Sequence, residues 1–214
     1  MKGRTADEFL DCLDQEFGWR LKELSDIHAA ISSPGDMSRT VRLRTATAML
    51  YAHWEGFVKG ASEAYVDYVA RRRLKHFELN DGFLSLAMKS KLKRLMESDD
   101  VTAQIEFVRY VRSGFDSRAQ IPRLGVIKTG ANLNSHRLKA IISVLCLDYG
   151  PFELKENLID RQLLEWRNSI AHGRGFCPNE DEFELLYRTI MALLRVFKDQ
   201  IVNAAISGRY RRPT

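Results

Sequence analysis

Hydrophobic residues recur along most of the chain at the spacing of an α-helix. Between Phe9 and Ile31, large apolar residues follow one another at intervals of three, four or seven, which places them on one helical face. Thr5 and Glu8 stand in the arrangement of a capping box just before this run. We therefore expect the first helix to begin after Thr5 and to reach about Ser32.

A second helical pattern extends from near Ser38 to Phe77. Its inward positions repeat at near-heptad intervals, which is typical of a central helix whose residues are mostly buried. At 1.5 Å per residue such a helix would be roughly 60 Å long. The inward positions are Leu43, Thr47, Leu50, Trp54, Phe57, Ala61 and Tyr68.

The remaining sequence predicts further helices, no β-strand and no domain boundary. Glycine and proline interrupt residues 113–134, which predicts a long irregular connection. We therefore expect one all-α domain over residues 1–214, a bundle of about six to seven helices with a long central helix, and a flexible basic tail at 208–214. Expected caps and helix ends are Asp99 or Asp100 with about Arg112, Ser135 with about Asp148, and Asn179 with about Ser207.

Small residues form a separate pattern on the expected central helix. Ala48, Ala52, Gly56, Gly60 and Ala64 recur at every fourth position, and such a stripe lets another helix backbone come close. Glycine costs a helix interior roughly 1 kcal/mol relative to alanine, so a packing requirement is indicated. The partner is either a helix of the same chain or the same helix of a second subunit.

The composition is that of a globular protein with a mild positive charge. The chain has 214 residues and a formal net charge of +5, which permits a polyanionic partner without requiring one. Cys12, Cys146 and Cys177 are far apart, which favours free thiols in the cytoplasm over a disulfide framework or a zinc site. We find neither a signal-peptide core nor an apolar run long enough for a membrane span.

Basic residues cluster after the expected central helix. Arg71, Arg72, Arg73 and Lys75 form one cluster, and the segment Lys89–Arg94 carries another. As helix ends they would simply be solvated. As a functional surface they would face phosphate groups.

The stretch from Leu158 to Gly175 predicts an amphipathic helix that ends on a polar cluster. Its apolar residues repeat at intervals of four, three and four on one face, and Asn168 and His172 lie on the opposite face. Gly173 is expected to stop the helix because glycine tolerates the left-handed conformation of a helix end. His172 is therefore expected in the last helical turn, at a polar surface.

The chemistry that remains available is that of arginine and histidine. None of the five histidines has the spacing of a helical metal site, and no G-x-S-x-G elbow occurs, so neither a metal nor another cofactor is expected. Cys177 precedes proline on a predicted loop, where an inert thiol is the usual case. Arginine and histidine suit metal-independent RNA cleavage, because histidine transfers protons near neutral pH and arginine holds phosphate.

Three segments carry a resemblance to a known superfamily. The string from Arg167 to Gly173 reads Arg-Asn-Ser-Ile-Ala-His-Gly, and its arginine-to-histidine spacing alone could arise by chance. The whole string at the end of an amphipathic helix resembles the signature of the HEPN superfamily. Its members are small α-helical bundles, and many are metal-independent endoribonucleases that work as dimers. The segments Tyr51–Lys59 and Asn132–Ser135 resemble a bacterial subgroup linked to defence and toxin systems.

The resemblance implies roles for the matching residues. Arg167 would bind and stabilise the scissile phosphate, and His172 would be the general base or acid. Asn168 would position the phosphate or the imidazole.

Glu55, Lys59 and Arg174 complete the expected set as substrate-binding residues. Glu55 either pairs with Lys59 one helical turn on or faces the motif and orients Arg167 or His172.

Helix geometry favours a site that two subunits share. Arg167 and His172 are five residues apart, which separates them by about 140° around a straight helix, so one copy cannot easily aim both side chains at one point. A distorted last turn or a curled arginine would be alternatives, but two copies facing each other across a two-fold axis are favoured. In the absence of any site, Arg167 would pair with an acid such as Glu55 or Asp160.

These features predict a cytoplasmic homodimer that cleaves RNA by attack of the 2′-hydroxyl. Its setting would be phage defence or a toxin–antitoxin system, with an antitoxin or another defence protein as a further partner and no membrane association. The alternatives are a HEPN module without catalytic activity that binds RNA, nucleotide or a protein partner, and a purely structural dimerisation bundle. Burial of His172 in the chain's own core would argue against the enzyme.

Overall fold

The computed structural model describes residues 5–33, 37–97, 100–130 and 132–213. These residues form eight α-helices, one 3₁₀ turn and one π-helical segment, without a β-strand. The predicted all-α fold is confirmed. The helix that the sequence did not predict is the four-residue α6 (Gly150–Glu153), at a position where the Gly150-Pro151 pair predicted only a break.

The first helix, α1 (Ala6–Ile31), begins where the sequence predicts. The Thr5 side chain accepts a hydrogen bond from the Glu8 backbone N–H, and the Glu8 side chain accepts one from the backbone N–H of Thr5. This reciprocal pair satisfies two donors that the start of a helix leaves free. The apolar face of α1 packs against α2 (Arg39–Ala70), which Ser38 caps.

Helix α2 is central but shorter than predicted, because it ends at Ala70 instead of Phe77. The backbone of Arg73 has a φ of 57°, a left-handed conformation that cannot continue an α-helix. Lys75 then pairs with Arg118 in an isolated antiparallel bridge. His76–Glu78 forms the 3₁₀ turn. Tertiary pairing with a distant loop therefore overrides the helical pattern of this segment.

The core surrounds α2. Trp54, Phe57 and Tyr65 are fully buried, and α2 packs against α1, α7 (Glu165–Ala171) and α8 (Glu180–Ile206). Gly56 lies against α1, since a Cβ atom there would come within 2.9 Å of the Nη1 atom of Arg20. For Gly56, packing within the chain is a sufficient reason for the small residue.

Helices α3 (Asp81–Glu97), α4 (Val101–Ser113) and α5 (Ser135–Val144) pack at one side of this core. Asp100 caps α4 as predicted, and Asp99, the other candidate, lies outside the described residues. Helix α5 is capped by Asn134, one residue before the predicted cap, and ends at Val144 instead of Asp148. Its first residue, Ser135, donates its backbone N–H and its hydroxyl to the carboxylate of Asp160.

The segment around the motif is not one uniform helix. Residues Leu158–Leu164 form a π-helix, and the chain continues directly into α7. A loop then leads to α8, whose start Asn179 caps together with Glu182. Beyond α8, the tail that the sequence predicted to be flexible packs against the 3₁₀ region: the backbone N–H of Asn80 donates to the carbonyl of Tyr210, and the Tyr210 side chain is buried. Among the described residues, no helix is both long and apolar enough to cross a membrane.

Candidate functional site

Helix α7 ends in a defined cap immediately after His172. The backbone N–H of Gly173 donates to the carbonyl of Ile170, and that of Arg174 donates to the carbonyl of Ser169. Gly173 has a φ of 70°. This is the Schellman arrangement, in which a left-handed glycine lets two backbone donors satisfy the last helical carbonyls. The cap fixes the backbone of His172 and leaves its side chain exposed.

The guanidinium group of Arg167 is held by residues from two other parts of the chain. It lies over the Tyr51 ring, 4.0 Å from the ring centroid, which is a cation–π contact. Its Nη2 atom donates a 3.2 Å hydrogen bond to the Oδ1 atom of Asn132 and lies 4.0 Å from the Glu55 carboxylate. One fifth of the Arg167 side chain remains exposed. The charge is thus oriented from several sides and still reachable.

Tyr51 connects α2 to the loop before α5. Its hydroxyl accepts a 2.7 Å hydrogen bond from the backbone N–H of Leu133, next to the Asn132 that contacts Arg167. Burial raises the pKa of Tyr51, although Leu133 and Arg167 act in the opposite direction. A raised pKa favours the protonated phenol at neutral pH, which disfavours Tyr51 as a general base.

The two carboxylates that the sequence offered to Arg167 have different partners. Glu55 faces Arg167, so of its two predicted arrangements the structure shows the one directed at the motif. Asp160 accepts hydrogen bonds of 2.7 Å and 2.6 Å from the backbone N–H and the hydroxyl of Ser135. Asp160 thereby joins the π-helical segment to the start of α5, which positions the loop that carries Asn132.

Of the other predicted site residues, three lie in the last turn of α7 or directly after it, and Lys59 lies on α2. Asn168 is partly buried, and its carbonyl accepts the backbone N–H of His172. Arg174 is exposed beyond the cap, and Lys59 is exposed on α2, one turn past Glu55. The structure therefore brings Arg167 and Glu55 into contact and leaves the side chains of His172, Arg174 and Lys59 at the surface.

A comparison with protein families finds a family model that matches this chain. Residues 9–210 match the model of the family described as HEPN_MAE_28990-like HEPN. The chain belongs to this HEPN family. The match covers nearly the whole chain, so the predicted superfamily resemblance is confirmed at the level of the domain. Neither the curated proteins nor the solved structures include a match to this HEPN chain.

Sequence reasoning missed one residue that shapes the site of this HEPN domain. The Nη1 atom of Arg44 donates a hydrogen bond to the carbonyl of Arg174 at 2.8 Å and another to the carbonyl of Phe176. Arg44, Tyr51 and Glu55 recur on α2 at intervals of seven and four, which places them on one helical face. That periodic polar face was the available signal.

The thiol of Cys177 forms contacts beside the candidate motif. Its Sγ atom contacts the carbonyl oxygens of Thr40 and Pro178, and burial raises the pKa of Cys177. Because the thiolate is the nucleophilic form, this environment disfavours a cysteine nucleophile.

Proposed function

We propose that this protein is a metal-independent endoribonuclease whose active site forms between two copies of α7. The observation that carries the proposal is the arrangement on this one short helix. Arg167 is oriented by three side chains and partly reachable, and His172 is exposed at the capped end. Cleavage by the 2′-hydroxyl needs proton transfer and stabilisation of negative charge, which an accessible imidazole and an oriented cation can supply.

The proposed reaction is an internal transfer within the RNA. The 2′-hydroxyl loses its proton to a base and attacks the adjacent phosphorus, and the 5′-oxygen leaves with a proton from an acid. The products are a 2′,3′-cyclic phosphate and a 5′-hydroxyl end. His172 supplies base or acid function, and a second His172 across a two-fold axis can supply the other. Arg167 stabilises the additional negative charge on the phosphate, and Asn168 and Glu55 position the reacting groups.

The proposal extends to the biological setting. Arg174, exposed directly after the motif, and Lys59, exposed on α2 one turn past Glu55, would hold flanking phosphates. The described cysteines are free, which is consistent with a reducing cytoplasm. A nuclease of this kind would act in phage defence or as a toxin, and an antitoxin or another defence protein would restrain it.

One observation favours a second candidate function. Arg167 contacts Glu55, Tyr51 and Asn132. An arginine with such partners can have a purely structural role. In that case the protein would be a HEPN module that binds RNA, nucleotide or a protein partner without cleaving RNA. Loss of His172 distinguishes the two candidates. It should abolish cleavage by an enzyme and leave a binding module able to bind, because the exposed imidazole contributes little to folding.

The test is cleavage of a mixed-sequence single-stranded RNA in EDTA. Wild type is compared with His172→Ala and Arg167→Ala, and each has a matched control of the same residue type at an exposed position: His136→Ala on α5 and Arg161→Ala in the π-helical segment. We expect both motif variants to lose at least about a hundredfold in rate and both controls to retain activity.

The products and the folded state complete this test. RNA methylated at its 2′-oxygens should resist cleavage, and cut RNA should carry cyclic phosphate ends. Thermal melting shows whether Arg167→Ala still folds, and Arg167→Lys serves as the variant that keeps the charge but loses the planar fork. Cleavage by His172→Ala at the wild-type rate would overturn the proposal, and intact RNA with all proteins would support the binding module.

A further inference from the structure

Four arginines surround a second concavity, at the end of α2 away from the motif. Arg71 and Arg73 come from the segment where α2 ends, and Arg118 and Arg123 come from the irregular connection after α4. They line a cavity of about 520 Å³, a volume in the usual range for small-ligand sites. None of the described residues that line it is acidic.

A single carboxylate offsets part of this positive charge. Asp67 lies 2.7 Å from the Nε atom of Arg71 and 3.5 Å from the Nη1 atom of Arg123. It therefore joins these two guanidinium groups and restricts both of them. Within the described part of the chain, no carboxylate forms an ion pair with Arg73 or Arg118. Like charges held together in this way repel one another, and a bound anion would relieve that repulsion.

The backbone conformation around Arg73 and Arg118 holds these two arginines at the cavity. Arg73 has the left-handed φ of 57°, which is uncommon for a residue other than glycine and stores strain. The segment after it pairs with the chain beside Arg118: the backbone N–H of Ala119 donates to the carbonyl of Leu74 at 2.9 Å, and Lys75 bridges to Arg118. A strained residue and a tertiary pairing thus bring two charged side chains to one cavity.

We propose that this cavity, the four-arginine pocket, binds adjacent phosphate groups. Guanidinium groups match phosphate because their planar donors form paired hydrogen bonds with phosphate oxygens. Four such groups around one space exceed what a single carboxylate of a ligand would need. Two sources have this chemistry, the backbone of a single-stranded RNA and the phosphate chain of a free nucleoside polyphosphate.

The pocket is separate from the candidate catalytic site. Arg71 follows Glu55 by sixteen residues, or about 24 Å along α2. Binding there does not depend on Arg167 or His172, so it can be measured whether or not the protein cleaves RNA. If both sites operate, the pocket would hold a part of the substrate distant from the cleaved bond.

Two probes test the pocket: inorganic tripolyphosphate by thermal shift, and a 2′-O-methyl RNA 12-mer, which cannot be cleaved by its own 2′-oxygens, by fluorescence anisotropy. Arg118→Gln removes one unpaired charge. Arg73→Asn removes the other and keeps a residue that tolerates the left-handed backbone. The matched control is Arg188→Gln, an exposed arginine on α8 that pairs with Glu184. We expect each pocket variant to weaken binding about tenfold or more and the control to bind as wild type does.

The outcomes separate the two sources. Weaker binding of both probes by the pocket variants shows that the pocket binds phosphate groups from either source. Weaker binding of tripolyphosphate alone identifies a free polyphosphate as the ligand of the pocket. Weaker binding of RNA alone identifies the backbone of a single-stranded RNA as that ligand. If both pocket variants bind both probes as tightly as wild type, or if wild type binds neither probe, the proposal is wrong. Melting temperatures without ligand show that each variant is folded.

Discussion

The Nη2 atom of Arg167 donates a 3.2 Å hydrogen bond to the Oδ1 atom of Asn132, across 35 residues of sequence. This contact joins α7 to the loop before α5, and Tyr51 of α2 holds that loop through the backbone N–H of Leu133. Three separate parts of the chain therefore determine where the charge of Arg167 lies.

Exchange of Asn132 should affect activity more than stability. Asn132→Ala removes the hydrogen bond to Arg167, and we expect about tenfold slower RNA cleavage with a change below about 0.5 kcal/mol in the free energy of unfolding. Asn134→Ala, two residues on, is the matched control. It removes the cap of α5, which should cost about 1 kcal/mol and leave the rate near wild type. Urea unfolding and cleavage assays measure both, and equal effects of the two variants would contradict a positioning role for Asn132.

The cap after His172 can be tested with two neighbouring glycines. An alanine at Gly173 would clash with no atom but would have to adopt a φ of 70°, so Gly173→Ala should destabilise the protein by about 1 kcal/mol and lower the melting temperature by about 2 to 4 °C. It should also slow cleavage, because the cap fixes His172. Gly175→Ala has open space and no positive φ and should be neutral. A normal cleavage rate in Gly173→Ala would show that catalysis does not need this cap.

A composite site between two subunits makes a prediction about mixtures. If each site takes Arg167 from one subunit and His172 from the other, an equal mixture of Arg167→Ala and His172→Ala chains should recover about one quarter of wild-type activity. Half of the dimers would then be mixed, and each mixed dimer would have one complete site of two. The chains must be unfolded and refolded together so that subunits exchange. No recovery in a mixture shown to contain mixed dimers would rule out a site built from one Arg167 and one His172, and it is the expected result if each site needs both copies of His172.

His53 should make folding stability depend on pH. Its side chain is buried near Glu23, Arg20 and Trp19. Burial lowers the pKa of His53 below 6.5, although Glu23 acts in the opposite direction. The unfolded chain then binds the proton more readily, so this contribution to stability is complete above about pH 6.5 and is lost as the pH falls toward the folded-state pKa.

Urea unfolding at about pH 7.5 and about pH 5.5 measures this effect. His53→Gln should lose less stability than wild type between the two pH values, whatever its stability at the higher pH. His136→Gln, at an exposed position on α5, is the control and should behave as wild type. If wild type and His53→Gln lost the same stability on acidification, His53 would not be the titrating group.

Local signals predicted the helix starts well. Thr5, Asp100 and Asn179 cap helices as the sequence indicates, because a cap depends on a few neighbouring residues. The end of α2 was predicted seven residues too late. The segment after Arg73 is determined by pairing with residues near Arg118, and no local pattern reports a partner that is distant in sequence.

The candidate site was predictable to a similar extent. The motif itself points to Arg167 and His172 as candidates, and the sequence of α2 offers Glu55 as a residue that faces them. The role of Arg44 depends on where the loop after α7 passes α2, which only the folded chain shows. The π-helical segment also carries no local signal that distinguishes it from an ordinary α-helix.

That π-helical segment has a consequence for comparing relatives of this chain. An α-helical turn holds 3.6 residues, and a π-helical turn holds more because its hydrogen bonds span five residues instead of four. Leu158–Leu164 directly precedes the helix that carries Arg167, and Ile159 and Leu163 anchor this segment in the core. A relative with one residue fewer in this segment can form an ordinary α-helix there and still direct its arginine toward Tyr51. An alignment of relatives should therefore allow a one-residue gap before the motif arginine.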